Sequence, residues 1–417
     1  MSYNRTTMLF TPTFFRIFIP FGAAYFMSLL LGSTNAIMSR TLVETFGLSS
    51  SELGLMSSAY LASFAAMQFP LGVMLDRYGA RRTLAPLLLF AAAGSLLFGM
   101  SRTGSHLIAA RALLGIGLAG CLMAAYKAYA DWIERDRLPV AYSVQCLAGG
   151  IGGMAATRPL ALAFDVLPWR TVFLLFAAAT LAIALLVWFV VPEKPRTQSA
   201  LPRATFATQF RHMLRFLTDG RFWYIAPVIT AAQGVLFAYL YLWLGPWLRD
   251  VAGLPERETG MLLMLSALGT AVGYFLNGIL AEVLRKKGWM SWETMYLVTG
   301  VLFVALMAAI SAGVPCAPYL WPFVMFLSTM TMISFPLMRN LFDDDEVGRV
   351  LSLLNFTIFV ASFAMQWLVG AILERYPTAP DGGFSPAGYS TGLVILTATG
   401  AAAVAHLAFC LRRRGKL

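Results

Sequence analysis

The chain has 417 residues, of which 59% are hydrophobic and only 12% are charged, and its formal net charge is +11. Soluble domains carry about 25% charged residues, so this composition excludes an ordinary soluble fold and indicates a membrane protein with many spans. The apolar stretches are about 20 residues long and do not alternate with polar residues, which favours membrane-spanning helices over a β-barrel.

Several function classes are disfavoured by what the sequence lacks. The basic residues lie in short loops between apolar runs, so membrane topology explains the positive charge without a nucleic-acid partner. The cysteines lie in or beside apolar segments without CxxC spacing, so neither a disulfide framework nor a metal site is predicted: Cys121, Cys146, Cys316 and Cys410. No nucleotide-binding loop, paired-histidine motif or nucleophile elbow is present, so we predict no cofactor, no direct use of ATP and no enzyme activity.

Twelve apolar spans follow one another along the chain, six on each side of a polar segment. We number them one to twelve, at roughly 14–38, 54–75, 84–100, 107–130, 141–163, 171–192, 223–247, 259–281, 293–313, 318–338, 350–373 and 388–411. The predicted fold is an all-α membrane protein made of two pseudo-symmetric six-helix bundles, at 1–192 and 222–417. Between them, 193–221 is predicted to be a cytosolic linker, partly an amphipathic helix on the headgroups.

The distribution of basic residues predicts the orientation. With the N-terminus inside, 22 of the 31 lysine and arginine residues fall on the inner side and seven on the outer side. This bias predicts that both termini are cytoplasmic, in a multi-pass protein of the cell membrane, for which a bacterial inner membrane is expected.

A short charged segment, residues 72–82, separates spans two and three. It contains Gly72, Asp76, Arg77, Gly79, Arg81 and Arg82, whose charged members would be costly inside lipid. Residues 278–287 repeat part of the pattern: a glycine, a carboxylate four residues later, and then a basic cluster. A charged turn used twice in one membrane chain indicates two related halves, with a site between them.

This segment resembles the signature loop of the major facilitator superfamily, Gly-x-Leu-x-Asp-Arg-x-Gly-Arg-Arg. Ala80 departs from the pattern, since an arginine usually follows the second glycine. The resemblance implies two six-helix bundles that rock around a central site, driven by an ion or substrate gradient. It also implies that the loop acts as an inner gate, in which Gly72 allows close helix packing and Asp76 faces a helix N-terminus.

Span four carries Arg111, Gly115 and Gly117, which resemble the family's second motif, Arg-x-x-x-Gly-x-Gly. The resemblance implies a part for the arginine in conformational change or proton coupling. The alternative is an arginine that snorkels to the outer headgroups, about one turn away. The two glycines would let a neighbouring helix approach closely.

Further along span four, Lys127 and Asp131 are four residues apart. On a continuous helix Lys127 lies about 160° around from Arg111, so the two cannot both face one central cavity. The i, i+4 spacing instead predicts an ion pair between Lys127 and Asp131 at the inner gate, with a substrate-binding role for Lys127 as the weaker alternative.

Span five contains a stripe of small residues that predicts tight helix packing: Gly149, Gly152, Gly153 and Ala156. The stripe partly resembles the span-five motif of the antiporter branch, but the Gly-Pro pair is absent and Arg158 precedes the proline. Arg158 is a candidate for coordinating an anionic substrate, and snorkelling to the outer headgroups remains an equal alternative.

The carboxylates are absent from the middle of every predicted span, whereas basic groups are present, which favours an anionic or neutral substrate. Gln233 near mid-membrane is a candidate substrate ligand, and so is Asn355, for which helix packing is the alternative. The aromatic residues that follow Gln233 in span seven are predicted to form an interfacial belt: Tyr239, Tyr241, Trp243 and Trp247.

The sequence therefore predicts a secondary active transporter that moves a small organic solute by alternating access, as a proton-coupled symporter. The expected partners are the solute, the lipid bilayer and protons, with no nucleic acid, and the expected state is a monomer. Two alternatives remain: a proton-driven multidrug efflux antiporter and a transporter-like membrane sensor.

Overall fold

A computed structural model describes residues 12–133, 138–192, 214–377 and 383–414. Within these ranges a few side chains are not described, including those of Asp76 and Glu282. Eleven helical segments of the described chain are long and apolar enough to cross a membrane, and a shorter apolar helix covers Val144–Ala155. With this shorter helix as span five, the predicted arrangement of twelve membrane helices is confirmed.

The span numbers from the sequence carry over to the structure. In the N-terminal half, the helices are Pro12–Ser33 and Asn35–Phe46 for span one, Ser50–Gly99 for spans two and three, Gly104–Leu118 and Cys121–Trp132 for span four, Leu138–Ala155 and Arg158–Val166 for span five, and Trp169–Val190 for span six. A turn at Ala119 and Gly120 divides span four, so the predicted angle between Arg111 and Lys127 holds only approximately.

The C-terminal half begins with a 3₁₀ turn at Arg215–Thr218. Span seven consists of Gly220–Ala238, a π-helical turn at Tyr239–Trp243 and Leu244–Asp250. The later helices are Glu256–Lys286 for span eight, Trp292–Ser311 for span nine, Ala317–Met330, Thr331–Ile333 and Ser334–Arg339 for span ten, Asp344–Leu373 for span eleven and Pro386–Arg413 for span twelve.

Span five is short because its helix breaks. Thr157 has non-helical backbone angles, with φ −103° and ψ −122°, and a new helix begins at Arg158. Pro159 has no backbone N–H to donate and fits only the first turn of a helix, so it marks the start of this second segment.

The turn between spans two and three lies at Gly79, whose φ of 80° and ψ of 173° interrupt the helix. A positive φ of this kind favours glycine, so the predicted turn is confirmed. The predicted packing role of Gly72 is wrong for this structure, because nothing lies within 4 Å of a Cβ added there. We use "Gly79 end" for this side of the bundle and "Gly47 end" for the opposite side, where Gly47 ends span one.

The predicted close approaches at Gly115, Gly117 and Gly152 are present, whereas Gly153 of the predicted stripe has only Leu29 Cβ nearby, at 4.0 Å. A Cβ on Gly115 would overlap the carbonyl of Tyr60 in span two, and one on Gly117 would overlap Ala91 in span three. In span five, a Cβ on Gly152 would overlap the carbonyl of Phe26 in span one. Backbone-to-backbone packing at these glycines therefore holds the N-terminal bundle together.

The predicted linker, 193–221, lies mostly outside the described residues, so the domain boundaries stay a prediction. Its last part is attached to the C-terminal half. Arg215 Nη2 lies 2.5 Å from Glu346 Oε1 at the start of span eleven, and Arg221 donates to the carbonyl of Leu341 at 3.1 Å.

Candidate functional site

The two halves contact each other at the Gly47 end. Ser50 Oγ in span two donates a hydrogen bond to the carbonyl of Gly370 in span eleven, at 2.9 Å. Arg249 Nη2 in span seven donates to Ser39 Oγ in the second segment of span one, also at 2.9 Å. Direct hydrogen bonds thus close this end of the seam between the halves.

A layer of aromatic side chains continues the contact toward the middle of the molecule. Tyr60 and Phe64 of span two face Tyr241 and Phe237 of span seven and Phe359 of span eleven. The ring centroids are 6.2 Å apart for Tyr60 and Tyr241 and 4.6 Å apart for Phe64 and Phe359. Phe237 joins the other two rings of the C-terminal half at 5.1 and 5.2 Å. These five residues, the aromatic layer, close the seam on the Gly47 side.

The prediction of an interfacial aromatic belt in span seven is wrong. Tyr239 and Trp243 are fully buried, and Tyr241 and Trp247 are 7% and 3% exposed. The reason is that span seven lies on the seam, so its aromatic side chains contact protein on every side. Trp243 Nε1, for example, donates to the carbonyl of Gln366 at 2.8 Å.

Arg111 lies inside the N-terminal half, at the break in span one. Its guanidinium donates to the carbonyl of Leu31 and to Thr34 Oγ1, each at 2.7 Å, and to Asn35 Oδ1. It also stacks over Phe98, with 5.1 Å from Cζ to the ring centroid. Since Arg111 is completely buried, the snorkelling alternative is wrong.

The charge of Arg111 is uncompensated among the described residues. All its hydrogen-bond partners are neutral, and its Nε has no partner. A buried charge without a counter-ion is unfavourable, so such a group is retained where another charge is bound or where the structure must rearrange.

A group of polar side chains lies on the Gly79 side of the aromatic layer. Tyr25 of span one is near Tyr126, Cys146 and Tyr274, which belong to spans four, five and eight. The Tyr126 hydroxyl is 3.2 Å from Cys146 Sγ, and Tyr274 donates to Gln233 Oε1 at 3.3 Å. We call these five residues the tyrosine site. Cys146 and Tyr274 are exposed, so the site borders open space.

The predicted substrate ligands are not all brought together. Gln233 is fully buried, and its Nε2 donates to the carbonyl of Ser328 at 2.9 Å. Asn355 is partly buried and lies one turn from Phe359, as Gln233 lies one turn from Phe237, so the two have similar depth. Arg158 instead packs against Gly260 in span eight, about 21 Å along that helix from Tyr274.

Part of the predicted gate is formed at the Gly79 end. Lys127 Nζ is 3.2 Å from Asp131 Oδ1, which confirms the predicted ion pair, and both side chains are about one-third exposed. The gating role of the pair is untested by this geometry and stays a prediction.

The charged turn is attached to span six rather than standing free. Arg81 Nη1 donates to the carbonyl of Val191 at 3.2 Å, and its guanidinium lies over the ring of Trp188. Arg77 and Arg82 are exposed on the same turn. The side chain of Asp76 lies outside the described residues, so its predicted contact with a neighbouring helix remains a prediction.

Sequence reasoning missed the tyrosine site and the depth of Arg111. Tyr25, Tyr126 and Tyr274 lie within predicted spans rather than at their ends, and this position was the available signal. A tyrosine hydroxyl in the middle of a span needs a partner, because lipid supplies none.

Two helical halves that meet along a seam, joined by hydrogen bonds at the Gly47 end and by aromatic rings toward the middle, have the architecture of a secondary transporter. The chain belongs to the Major Facilitator Superfamily, whose family model matches residues 21–366. It is 25% identical over 383 residues to a probable sulfoacetate transporter of Cupriavidus necator, covering 88% of this chain and 81% of that protein.

Two further relatives carry different solutes. A hexuronate transporter of Bacillus subtilis is 25% identical, with 79% of this chain and 81% of the relative covered. A D-galactonate transporter of Escherichia coli is 23% identical, with 83% and 86% covered.

The fold matches solved transporter structures. A bacterial homologue of the human lysosomal transporter Spinster, in an inward-facing and occupied conformation, aligns with a TM-score of 0.72 at 17% identity, over 96% of this chain and 97% of that one. A D-xylose–proton symporter aligns with a TM-score of 0.67 at 16% identity, over 93% and 97%.

Proposed function

We propose that this protein is a proton-coupled symporter for a small organic anion carrying a carboxylate or sulfonate group, which it moves by alternating access as a monomer. Both termini are cytoplasmic, in a bacterial inner membrane, so the Gly79 end faces the cytoplasm. The closed Gly47 end supports an inward-open state of the cycle. Protons would enter the cycle through carboxylates at span ends, through the solute or through water near Arg111.

The observation that carries the proposal is the uncompensated charge of Arg111. Its partner Leu31 lies six residues after Tyr25 in span one, a rise of about 9 Å. In a low-dielectric interior a charge acts strongly over this distance. We therefore assign Arg111 as the group that makes the tyrosine site electrically positive, and the hydroxyls of Tyr25 and Tyr126 as hydrogen-bond donors to the anion, since Tyr274 donates its hydroxyl hydrogen to Gln233.

The relatives support the charge of the solute. Sulfoacetate, hexuronates and galactonate are all small organic anions, and the transporters named for them each cover more than three-quarters of this chain. No observation in the structure favours the alternatives of drug efflux or sensing.

The remaining predicted residues take secondary roles in this proposal. Gln233 holds Tyr274 in place, and Asn355 lies at the same depth on span eleven of the same half. Arg158 lies toward the Gly47 end, so we assign it to first contact with the anion when that end is open. Lys127, Asp131 and the charged turn at Gly79 form the inner gate.

A ligand screen by thermal unfolding tests the charge preference. Purified protein is heated with sulfoacetate, glucuronate or galactonate, and separately with the neutral sugar xylose and the cation ethidium. A ligand that binds the native state raises the apparent melting temperature, so at least one anion should raise it while xylose and ethidium do not. A rise with ethidium alone would contradict the proposal.

A further inference from the structure

A cavity of about 400 Å³ lies in the C-terminal half at the Gly47 end, away from the seam. It is lined by parts of spans seven, nine, ten and twelve, including Trp247, Ala317, Ser390 and Leu393. Trp247 follows Gln233 by 14 residues in span seven, about 21 Å along the helix. The cavity is therefore separate from the tyrosine site.

Trp247 lines this cavity and belongs to a buried cluster whose polar atoms have no partners among the described residues. Tyr239, Trp321 and Tyr389 are fully buried and Trp247 is 3% exposed. Among the described residues, none offers a hydrogen-bond partner to Tyr239 Oη, Trp247 Nε1, Trp321 Nε1 or Tyr389 Oη.

These four side chains form one cluster. The rings of Tyr239 and Trp321 are stacked at 4.5 Å, and those of Trp321 and Trp247 meet edge to face at 5.6 Å. Tyr389 of span twelve lies near Tyr239 and also near the charged side chains of Asp250 and Arg249 at the end of span seven. Tyr239 also begins the π-helical turn of span seven, and π turns inside α-helices are frequent at functional sites.

Buried polar groups in proteins are almost always hydrogen-bonded, and leaving one without a partner is costly. Four such atoms in one cluster, which meets a cavity with room for several water molecules at Trp247, indicate that something binds there. An indole N–H can only donate, so the partners of Trp247 and Trp321 must be acceptors.

We propose that Trp247, Trp321, Tyr239 and Tyr389 form a second binding site, the indole pocket, which holds acceptor oxygen atoms. These oxygens come either from ordered water or from an oxyanion that enters from the Gly47 end. The pocket lies within one half, so it keeps its shape while the halves rock, and the inference does not depend on the charge of the transported solute.

The direct test is an experimental structure of the full chain that resolves ordered water. The structure is determined once without methanesulfonate and once with methanesulfonate as the oxyanion probe. We expect an oxygen within hydrogen-bond distance of at least two of the four polar atoms. Density that changes with methanesulfonate identifies an oxyanion, and unchanged density of single oxygens identifies water. A cavity without density beside these atoms would overturn the proposal.

Ring-preserving substitutions give a second test whose sign is decisive. If Tyr389 and Tyr239 bind acceptor oxygens, Tyr389→Phe and Tyr239→Phe remove real hydrogen bonds and lower the apparent melting temperature. If these atoms are truly unpartnered, the substitutions remove a penalty and raise it. Tyr319→Phe is the matched control on span ten, because Tyr319 is 58% exposed and does not belong to the buried cluster. A rise in both variants, relative to this control, would contradict the pocket.

Discussion

At the scale of single residues, Arg111 differs most from its neighbours. It is completely buried, its described partners are neutral, and it holds three groups around the break in span one. This geometry gives Arg111 a structural role and an electrostatic role. It donates to the Leu31 carbonyl at the break, which Thr34 Oγ1 also contacts, and it supplies the positive charge that an anionic solute would require.

Substitution of Arg111 separates these two roles. In Arg111→Lys the charge remains, although the three-way hydrogen bonding is lost. In Arg111→Gln the charge is lost. We expect Arg111→Gln to weaken anion binding by about tenfold or more, the equivalent of about 1.4 kcal/mol, and Arg111→Lys to weaken it less.

The measurement is the dissociation constant from calorimetry or ligand-dependent unfolding. Arg40→Gln is the matched control, since Arg40 is exposed and pairs with Glu44 at the protein surface. Equal binding by Arg111→Gln and the control would show that Arg111 has no electrostatic part in recognition.

At the scale of helices, the Gly47 end is closed by direct backbone contact. Gly245 of span seven faces the carbonyl of Ala36 in span one, and Gly370 of span eleven faces the carbonyl of Ser50 in span two. A Cβ at either position would overlap backbone atoms of the other half. Two glycines thus allow the halves to meet here without an ion pair between them at these points.

Gly245→Ala should therefore disfavour the state that is closed at the Gly47 end. The Gly79 end then closes more often, and Cys146 beside the tyrosine site becomes protected. We expect slower alkylation of Cys146 by a water-soluble maleimide, in a background where Cys316 and Cys410 are serine and the buried Cys121 is retained. Gly220→Ala is the matched control, because nothing lies within 4 Å of a Cβ there. Faster or unchanged alkylation in Gly245→Ala would refute this role of Gly245.

The start of span seven provides a test that depends on pH. Asp219 caps this helix by accepting a hydrogen bond from the Arg221 backbone N–H at 2.8 Å. Hydrogen bonds from Arg221 hold the pKa of the Asp219 carboxyl below its usual value of 3.8. Because the folded pKa is the lower one, the stabilisation is present above pH 3.8 and is lost as the pH falls through the folded pKa.

Asp219→Asn should consequently lower the melting temperature at neutral pH by a small amount, since the pair is partly exposed. The difference from the unmodified protein should shrink as the pH falls below 4. Asp165→Asn, at an exposed position in span five, is the control. A difference that grows toward low pH would contradict the assignment.

At the scale of the whole molecule, the sequence was sufficient for the fold because the bilayer limits the choices. A span must satisfy its own backbone hydrogen bonds, so apolar stretches of about 20 residues predict helices directly. The turn at Gly79 and the close approaches at Gly115, Gly117 and Gly152 could also be predicted from the sequence, since each depends on a glycine at that position.

The contacts between helices could not be predicted from the sequence in the same way. Tyr239 and Trp243 have the composition of a headgroup belt, but their burial follows from the position of span seven on the seam. Gly72 fits a packing motif, although no side chain or backbone lies against it in this state of the protein. Arg158 and Gln233 were both predicted to bind substrate because of their chemistry, but they lie at different depths. The helix break at Thr157 precedes Arg158, whereas Gln233 contacts Tyr274 in the middle of span eight. These positions depend on the order of the helices around the seam.

The central claim, anion transport driven by a gradient, is tested most directly in liposomes that contain only the purified protein. Vesicles loaded with unlabelled sulfoacetate, glucuronate or galactonate are diluted into labelled solute, without ATP. We predict counterflow, a transient accumulation of label, for at least one of these anions, with a strong reduction in Arg111→Gln and none in Arg40→Gln. Counterflow of the cation ethidium with none of the anions, or no counterflow of any solute by protein that binds an anion, would contradict the account.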